Sequence, residues 1–292
     1  MSTVLPHAHW APLAAAHAER VDALTQGHRE RRASGRPHPV EDFLFTYYSF
    51  RPAQLRRWHP GVGIRLTDAE DHGTWRFYRW YDAAAGLDTD AFVESRGATV
   101  NFVRSLLTAT AGRAPALGCF GLHEWAMVYR SGEVRHETWP LRLGRSGTDE
   151  VVERHTVRCS HYDAFRFFTD EARPRNMLQP TREQQVSLEQ PGCLHVGMDL
   201  YKWAYKLTPA VPSSLLLDCF ELARDIRALD MAASPYDLRK LGYTPVPIET
   251  PAGKAEYVRR QREFADRGQV LRQRLIAVCD HLATAVDGRN GR

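Results

Sequence analysis

Lysine is scarce in this chain of 292 residues: four of its 39 basic residues are lysine (Lys202, Lys206, Lys240 and Lys254) and the rest are arginine. Cysteine is sparse as well. Cys119, Cys159, Cys193, Cys219 and Cys279 are odd in number, widely spaced and form no CxxC pair. That excludes a disulfide framework and a cysteine zinc site, and it predicts a reducing compartment. No apolar run approaches the roughly 18 residues of a membrane span. The first residues, MSTVLPHAHWAPLAAAH, lack a basic stretch followed by an apolar one, so no signal peptide is expected. Repeats and low-complexity tracts are missing too. A soluble, cytoplasmic protein is the expectation.

What remains is an ordinary globular balance, 43% hydrophobic and 25% charged, able to bury a real core. The net charge of +4 permits a polyanionic partner without requiring one. Alanine and charge over 12–33 predict a first helix ending near Gly35. Asp42 to Tyr48 reads as a short helix, and Pro52 opens another that Pro60 and Gly61 stop. The period then changes: 64–66 and 74–81 read as a hairpin turning at Asp68 to Gly73. Helix returns over 89–110, with Phe92, Val93, Val100, Val103 and Leu107 near one face. Further helices are expected over 119–129, from Thr181 with Gln184 as a capping box, over 193–207, from a cap at Ser213 or Ser214, and from Thr250-Pro251 to about 286. The final DGRNGR reads as frayed. The stretch 148–168 is ambiguous between helix and strand, and the long loop 235–251 is a candidate lid. The expected fold is mainly α: a single multi-helix domain with a minor β-hairpin element. Its parts are an N-terminal helix (12–35), an aromatic and basic segment (36–88), a helical core (89–250) and a long last helix (251–287).

Five stretches carry candidate chemistry. TYYSFRPAQLRRWHPG (46–61) combines rings with positive charge. Tyr47, Tyr48, Trp58 and His59 could stack on bases while Arg51, Arg56 and Arg57 hold phosphates; the competing reading is a core edge with a basic rim. In GLHEWAMVYR (121–130), Glu124 sits among apolar neighbours, which suits a general acid or base, or it is paired with an arginine. His123 beside it could orient a ligand. RHTVRCSHYDAFRFF (154–168) offers His155, His161 and Asp163 as metal ligands with an outlying His136 or His195, though without the spacing of a strong metal motif. In a strand, Cys159, His161 and Asp163 would share a face.

EQPGCLHVGMDLYKWAYKL (189–207) sorts more cleanly. Cys193, Val196, Leu200, Trp203, Ala204 and Leu207 form an apolar seam, and His195, Asp199, Lys202 and Lys206 a polar stripe. Such a stripe can place a carboxylate beside a substrate, or it can simply be solvated. Asp230, Tyr236 and Asp237, where a helix gives way to the long loop, form a fifth group. HPGVG (59–63) is similar to the turn of a helix-hairpin-helix, with Asp82 following, but its flanks read as strands.

Taken together, FLFTYYSFRPAQLRRWHPG, GLHEWAMVYR, CSHYDAFRFFT, EQPGCLHVGMDLYKWAYKL and LDMAASPYDL resemble a group of bacterial proteins commonly labelled 3-methyladenine DNA glycosylase. The resemblance spans roughly residues 15 to 275. No residue carries over from the helix-hairpin-helix or alkyladenine glycosylase motifs. The resemblance implies a DNA-repair N-glycosylase that binds damaged DNA and extrudes an alkylated purine. A cationic base would gain about 0.5–2 kcal/mol against Tyr47, Tyr48, Trp58 or Trp203. Asp199 or Glu124 would activate water and stabilise the sugar cation, with His161, Asp163, His195, Lys202 and Trp203 around the substrate. No cofactor and no resident metal are expected on this reading. Two others stand beside it: a metal-dependent hydrolase or oxygenase using His123, His155, His161, Asp163 and His195, and a non-catalytic nucleic-acid or small-molecule binder.

Overall fold

The computed structural model describes residues 2–132 and 139–287, with side chains to residue 284. In chain order its elements are β1 (Thr3–Leu5), α1 (His7–Ala33), α2 (Phe43–Tyr47), α3 (Pro52–Leu55), β2 (Ile64–Thr67), α4 (Glu70–Thr74), β3 (Tyr78–Tyr81), β4 (Ala84–Leu87) and α5 (Thr89–Ala111). Then follow α6 (Leu122–Ala126), α7 (Gly144–Arg154), α8 (Tyr162–Phe165), α9 (Gln185–Leu188), α10 (Leu194–Lys206), α11 (Ser213–Ala232) and α12 (Pro251–Asp287). The protein is mainly helical, and one apolar core runs from Val21 on α1 to Leu282 on α12. No helix among the described residues is long and apolar enough to cross a membrane.

Four helices make the centre: α10 packs on α11, α12 packs on α5, and α12 also touches α10 and α11. Local signals set their ends. The Asp88 carboxylate accepts from Ala91 N–H at 3.1 Å and starts α5. Thr250 Oγ1 accepts from Gly253 N–H at 3.1 Å and starts α12, with Pro251 where its missing N–H is harmless. The third residue of α12 allows no side chain. A Cβ at Gly253 would lie 2.0 Å from the Pro247 carbonyl oxygen. Gly253→Ala is therefore expected to lower stability by about 1–3 kcal/mol, the usual range for overpacking. An unchanged urea midpoint would contradict this packing.

The β element is larger than a hairpin, and it corrects the expected pairing. The order is β1-β2-β4-β3, with β1 parallel to β2 and the other pairs antiparallel. The residues 68–73 do not turn one strand back on the next; 70–73 belong to α4, and the tight turn falls at Asp82, in a left-handed conformation at φ 52°. Strand β2 then pairs with β4 rather than β3. The unforeseen strand β4, AAGL, is all small residues and leucine, and all four are buried. A second small core, of Trp10, Leu66, Ala69 and Ala85 with Trp58 beside it, joins α1 to the sheet. HPGVG is followed by β2, not by a second helix, so it forms no helix-hairpin-helix. Its Gly61, at φ 93°, lies where a Cβ would strike the Pro212 ring at 2.7 Å.

Other boundaries also moved. Helix α1 begins at His7, upstream of Pro12. The hydrogen bond that Pro12 cannot give would go to Ala8, an exposed residue whose carbonyl water can satisfy. At 181–188 the side chain of Gln184 does accept from Thr181 N–H at 3.3 Å, but the helix begins only at Gln185. Ser213 is the first residue of α11 and not its cap. Its hydroxyl accepts from His59 N–H at 2.8 Å and donates to the Arg57 carbonyl at 3.2 Å, tying α11 to the end of α3. The 148–168 stretch divides: α7 to Arg154, irregular chain through Ser160, then the single turn α8. Residues 235–251 are packed down by Tyr236, Leu238, Val246 and Ile248 and by an Arg142–Glu249 pair at 2.8 Å, so they do not form a free lid. DGRNGR falls almost wholly outside the described residues.

His59 gives this region a pH signature. Burial, reinforced by the positive charge of His72 and Arg57, lowers its pKa from 6.5 to about 3. The unfolded chain therefore takes up a proton at pH values where the folded chain does not. Stability from this residue is full above about pH 6.5 and falls as pH drops toward 3, by up to about 1.4 kcal/mol per pH unit. The His59→Asn variant is expected to show a flatter dependence of urea midpoint on pH between 6.5 and 4. Parallel curves for the two proteins would refute the assignment.

Candidate functional site

Polar groups gather where α10 and α11 meet α2, α6 and α8. Both faces of α10 are covered, so its polar stripe is mostly an interior feature. His195 and Asp199 are buried with the apolar seam, Lys202 is half-buried, and Lys206 alone reaches the surface. Asp199 lies at the centre of the first group. Tyr48 donates its hydroxyl to Asp199 Oδ1 at 2.9 Å, while Lys202 Nζ donates to Asp199 Oδ2 at 2.9 Å. His161 Nε2 is 3.3 Å from that same oxygen and 3.8 Å from Glu189 Oε1. Lys202 also donates to Asp163 Oδ2 at 2.9 Å.

The second group is built on α6 and α11. His123 Nε2 lies 2.9 Å from Asp230 Oδ1. Arg227 Nη1 donates to Asp230 Oδ2 at 3.1 Å and to Glu124 Oε1 at 3.0 Å. The Arg227 guanidinium stacks 3.9 Å from the centre of the Phe43 ring, and Phe43 stacks on Tyr47 at 5.0 Å and 10°. His195 joins the two groups. Its ring is 4.4 Å from that of His123, edge to face, and 5.2 Å from that of His161, nearly parallel.

Charge explains the protonation of the groups. Glu124, Glu189, Asp199 and Asp230 are buried and Asp163 is half-buried; among the described residues Arg227 pairs with Glu124 and Asp230, Lys202 with Asp199 and Asp163, and the more exposed Arg166 with Asp163. The remainder is balanced by protons. Burial pulls the His123 pKa down, but the Asp230 carboxylate more than offsets it and holds the imidazole well above its usual range. His161 is raised in the same way, with Asp199 and Glu189 outweighing burial. Burial raises the Glu189 pKa. Asp199 is pushed up by burial and pulled down further by Lys202 and His161, so it stays ionised well below the usual carboxylate range. His195 is held neutral by burial and by the positive His123.

A cavity of about 290 Å³ opens onto the second group, lined by Phe43, Thr46, Tyr47, Glu124, Met127, Asp163, Ala164, Phe167, His195 and Arg227. A neighbouring, more polar hollow shares Asp163 and is lined by Arg166, Arg182, Lys202, Trp203 and Lys206. The sequence candidates are thus divided. Tyr47, Glu124, Asp163 and His195 line the cavity, and Lys202 and Trp203 line the hollow. Tyr48, His161 and Asp199 are enclosed behind them, each at most 2% exposed. Arg56, Arg57 and Trp58 line a different cavity of about 590 Å³ with Trp10 and His72. His59 is buried with its Nδ1 3.0 Å from the Tyr78 hydroxyl. Arg51 is exposed at the N-cap of α3, and Arg56 pairs with Asp22 at 3.0 Å.

The remaining histidine candidates stand apart. His155 Nδ1 is 2.6 Å from the Val151 carbonyl, outside both groups. His136 lies outside the described residues. Cys159 does not share a strand face with His161 and Asp163; its thiol meets the His161 carbonyl at 3.6 Å. Asp237 pairs with Arg239 on the surface. Arg227 and Glu189 were not anticipated. A signal for Arg227 exists: it falls on the same helical stripe as Leu216, Phe220 and Ala223, which places a cation on the buried face of α11. Glu189 precedes the Pro191-Gly192 turn as an unremarkable acid, with no such signal.

Comparison of the chain with family models, with curated proteins and with solved structures finds no match.

Proposed function

We propose that the protein is a hydrolase whose substrate group enters the Phe43–Tyr47–Phe167 cavity, and that the bond broken is the N-glycosidic bond of an alkylated purine. One observation carries this reading: a single small cavity combines stacked aromatic walls with the carboxylates Glu124 and Asp163. A volume of about 290 Å³ sits at the small end of ligand pockets, suited to one nucleobase. A cationic methylated base gains from both wall types, by cation–π attraction and by charge. The resemblance to the group labelled 3-methyladenine DNA glycosylase points to the same bond.

The chemistry asks little of an acid, because a cationic purine already leaves well. The need is for a carboxylate to orient water and stabilise positive charge developing on the sugar. Glu124 has that role: it lines the cavity, and Arg227 fixes its Oε1. Asp199 acts at one remove, by positioning Tyr48, His161 and Lys202. Flanking phosphates fit Arg166, Arg182 and Lys206 in the adjoining hollow better than Arg56 and Arg57, which line another cavity.

Nucleic-acid binding tests the last point. Arg182→Ala is expected to weaken binding to methylated DNA and lower the salt slope by about one. Arg57→Ala is expected to leave both unchanged. The opposite pattern would move the phosphate surface to the α3 side. For Glu124→Gln, base release is expected to fall about 10²–10⁴-fold. Undiminished release would remove Glu124 from the chemistry.

A further inference from the structure

The two groups of donors joined by His195 differ in how their aspartates are held: Tyr48 and Lys202 occupy both oxygens of Asp199, whereas Arg227 takes one oxygen of Asp230. His161, Glu189 and Asp199 have the Lys202 ammonium, 2.9 Å from Asp199 Oδ2. The other group, His123, His195 and Asp230, brings one ligand atom from each residue within 4.8 Å of the others. Arg227 engages Asp230 Oδ2 at 3.1 Å, so Oδ1 is left to the His123 side. His195 supplies an independent observation. It is only 9% exposed, and its Nδ1 has no hydrogen-bond partner among the described residues. A buried imidazole nitrogen without a partner forfeits its hydration for nothing in return, and such groups in folded proteins have a reason.

We propose that His123, His195 and Asp230 bind one divalent transition-metal ion, whose remaining coordination positions open toward the cavity beside Glu124. Imidazole nitrogens with one carboxylate suit zinc, iron, manganese or cobalt rather than calcium or magnesium, which prefer oxygen alone. Ligand bonds of about 2.0–2.2 Å place neighbouring donors roughly 3 Å apart; His123 Nε2 and Asp230 Oδ1 are 2.9 Å apart, and the ion would displace the proton they share, releasing it to solvent. Three protein ligands are the pattern of sites that keep a position for water. The outer partners are in place too. Arg227 holds the second oxygen of Asp230, and the Cys119 thiol lies 3.9 Å from His123 Nδ1. This ion would supply activated water to the proposed hydrolysis, but the site rests on its own donors and not on the identity of the substrate.

The test is metal binding by the purified full chain, without reference to turnover. The protein is stripped with a chelator and dialysed against zinc, manganese, cobalt or anaerobic ferrous ion. Bound metal is measured by elemental analysis, and the cobalt form by its visible absorption. The expected result is close to one ion per chain, with affinity falling by at least about 100-fold in His195→Ala, since one of three ligands is lost. That variant removes a neutral side chain from no ion pair, so it is expected to fold; circular dichroism verifies it. His155→Ala is expected to bind as the parent does. Folded protein that takes up none of the four ions, or binding that survives His195→Ala undiminished, would overturn the site. Metal binding without base release would keep this site and remove the glycosidic reading. Base release by protein shown to bind no ion would do the reverse.

Discussion

Replacing Arg227 by methionine is expected to lower folding stability by about 3–5 kcal/mol, the range for removing one partner from a buried ion pair. The arginine is 3% exposed and, among the described residues, is the one permanent cation touching both Glu124 and Asp230. Without it, two buried carboxylates face each other with His123 alone to balance them. Methionine fills much of the space, so the loss reports charge more than volume. The contrast is Arg20, which also pairs with two acids, Asp218 and Glu221, but is 46% exposed. Arg20→Ala is expected to cost at most about 1 kcal/mol, as exposed pairs do. Urea denaturation of the three proteins measures both. A loss below about 1 kcal/mol for Arg227→Met would mean that water or a proton already does the arginine's work.

Asp199→Asn is expected to be as damaging, about 3–5 kcal/mol, because the carboxylate accepts from Tyr48, Lys202 and His161 at once. Asparagine keeps the shape but removes the charge, which leaves Lys202 with Asp163 alone. The double variant Asp199→Asn, Lys202→Met removes both charges. It is expected to recover part of the loss, with a coupling of about 0.5–3 kcal/mol. Strict additivity would show that the pair does not interact. The same variants separate structure from chemistry: turnover per folded molecule is expected to fall less in Asp199→Asn than in Glu124→Gln, because only Glu124 lines the cavity.

The contrast between Asp199 and Glu124 also shows what the sequence could tell. A helical wheel over 193–207 put His195, Asp199 and Lys202 on one stripe, and all three do belong to one polar cluster. The wheel gives the direction of each side chain but not what covers it. Here α2, α8 and α11 cover the stripe, so Asp199 became an interior anchor. Glu124 could be read either as a catalytic acid or as an arginine's partner, and its arginine, Arg227, lies more than a hundred residues away. Periodicity carries no information across that gap. The same limit explains the sheet. Strand β2 and the region of β3 were visible by their β-branched and aromatic residues. Strand β4, Ala84–Leu87, is too small and bland to show, and its pairing with β2 is a tertiary choice. Rings and arginines adjacent in 46–61 went to different places for a simple reason. The turn after α3 carries Trp58 into the small core with Trp10, while Tyr48, just past the end of α2, packs its ring against Tyr201 of α10.

The most direct test of this account is release of methylated bases from methylated duplex DNA by the purified protein, with and without added zinc, resolved by chromatography beside Glu124→Gln. Free methylated purine is expected from the parent protein, with a loss of about 10²–10⁴-fold in the variant, both proteins being folded. No release above background from folded, metal-supplied protein at high concentration would contradict it.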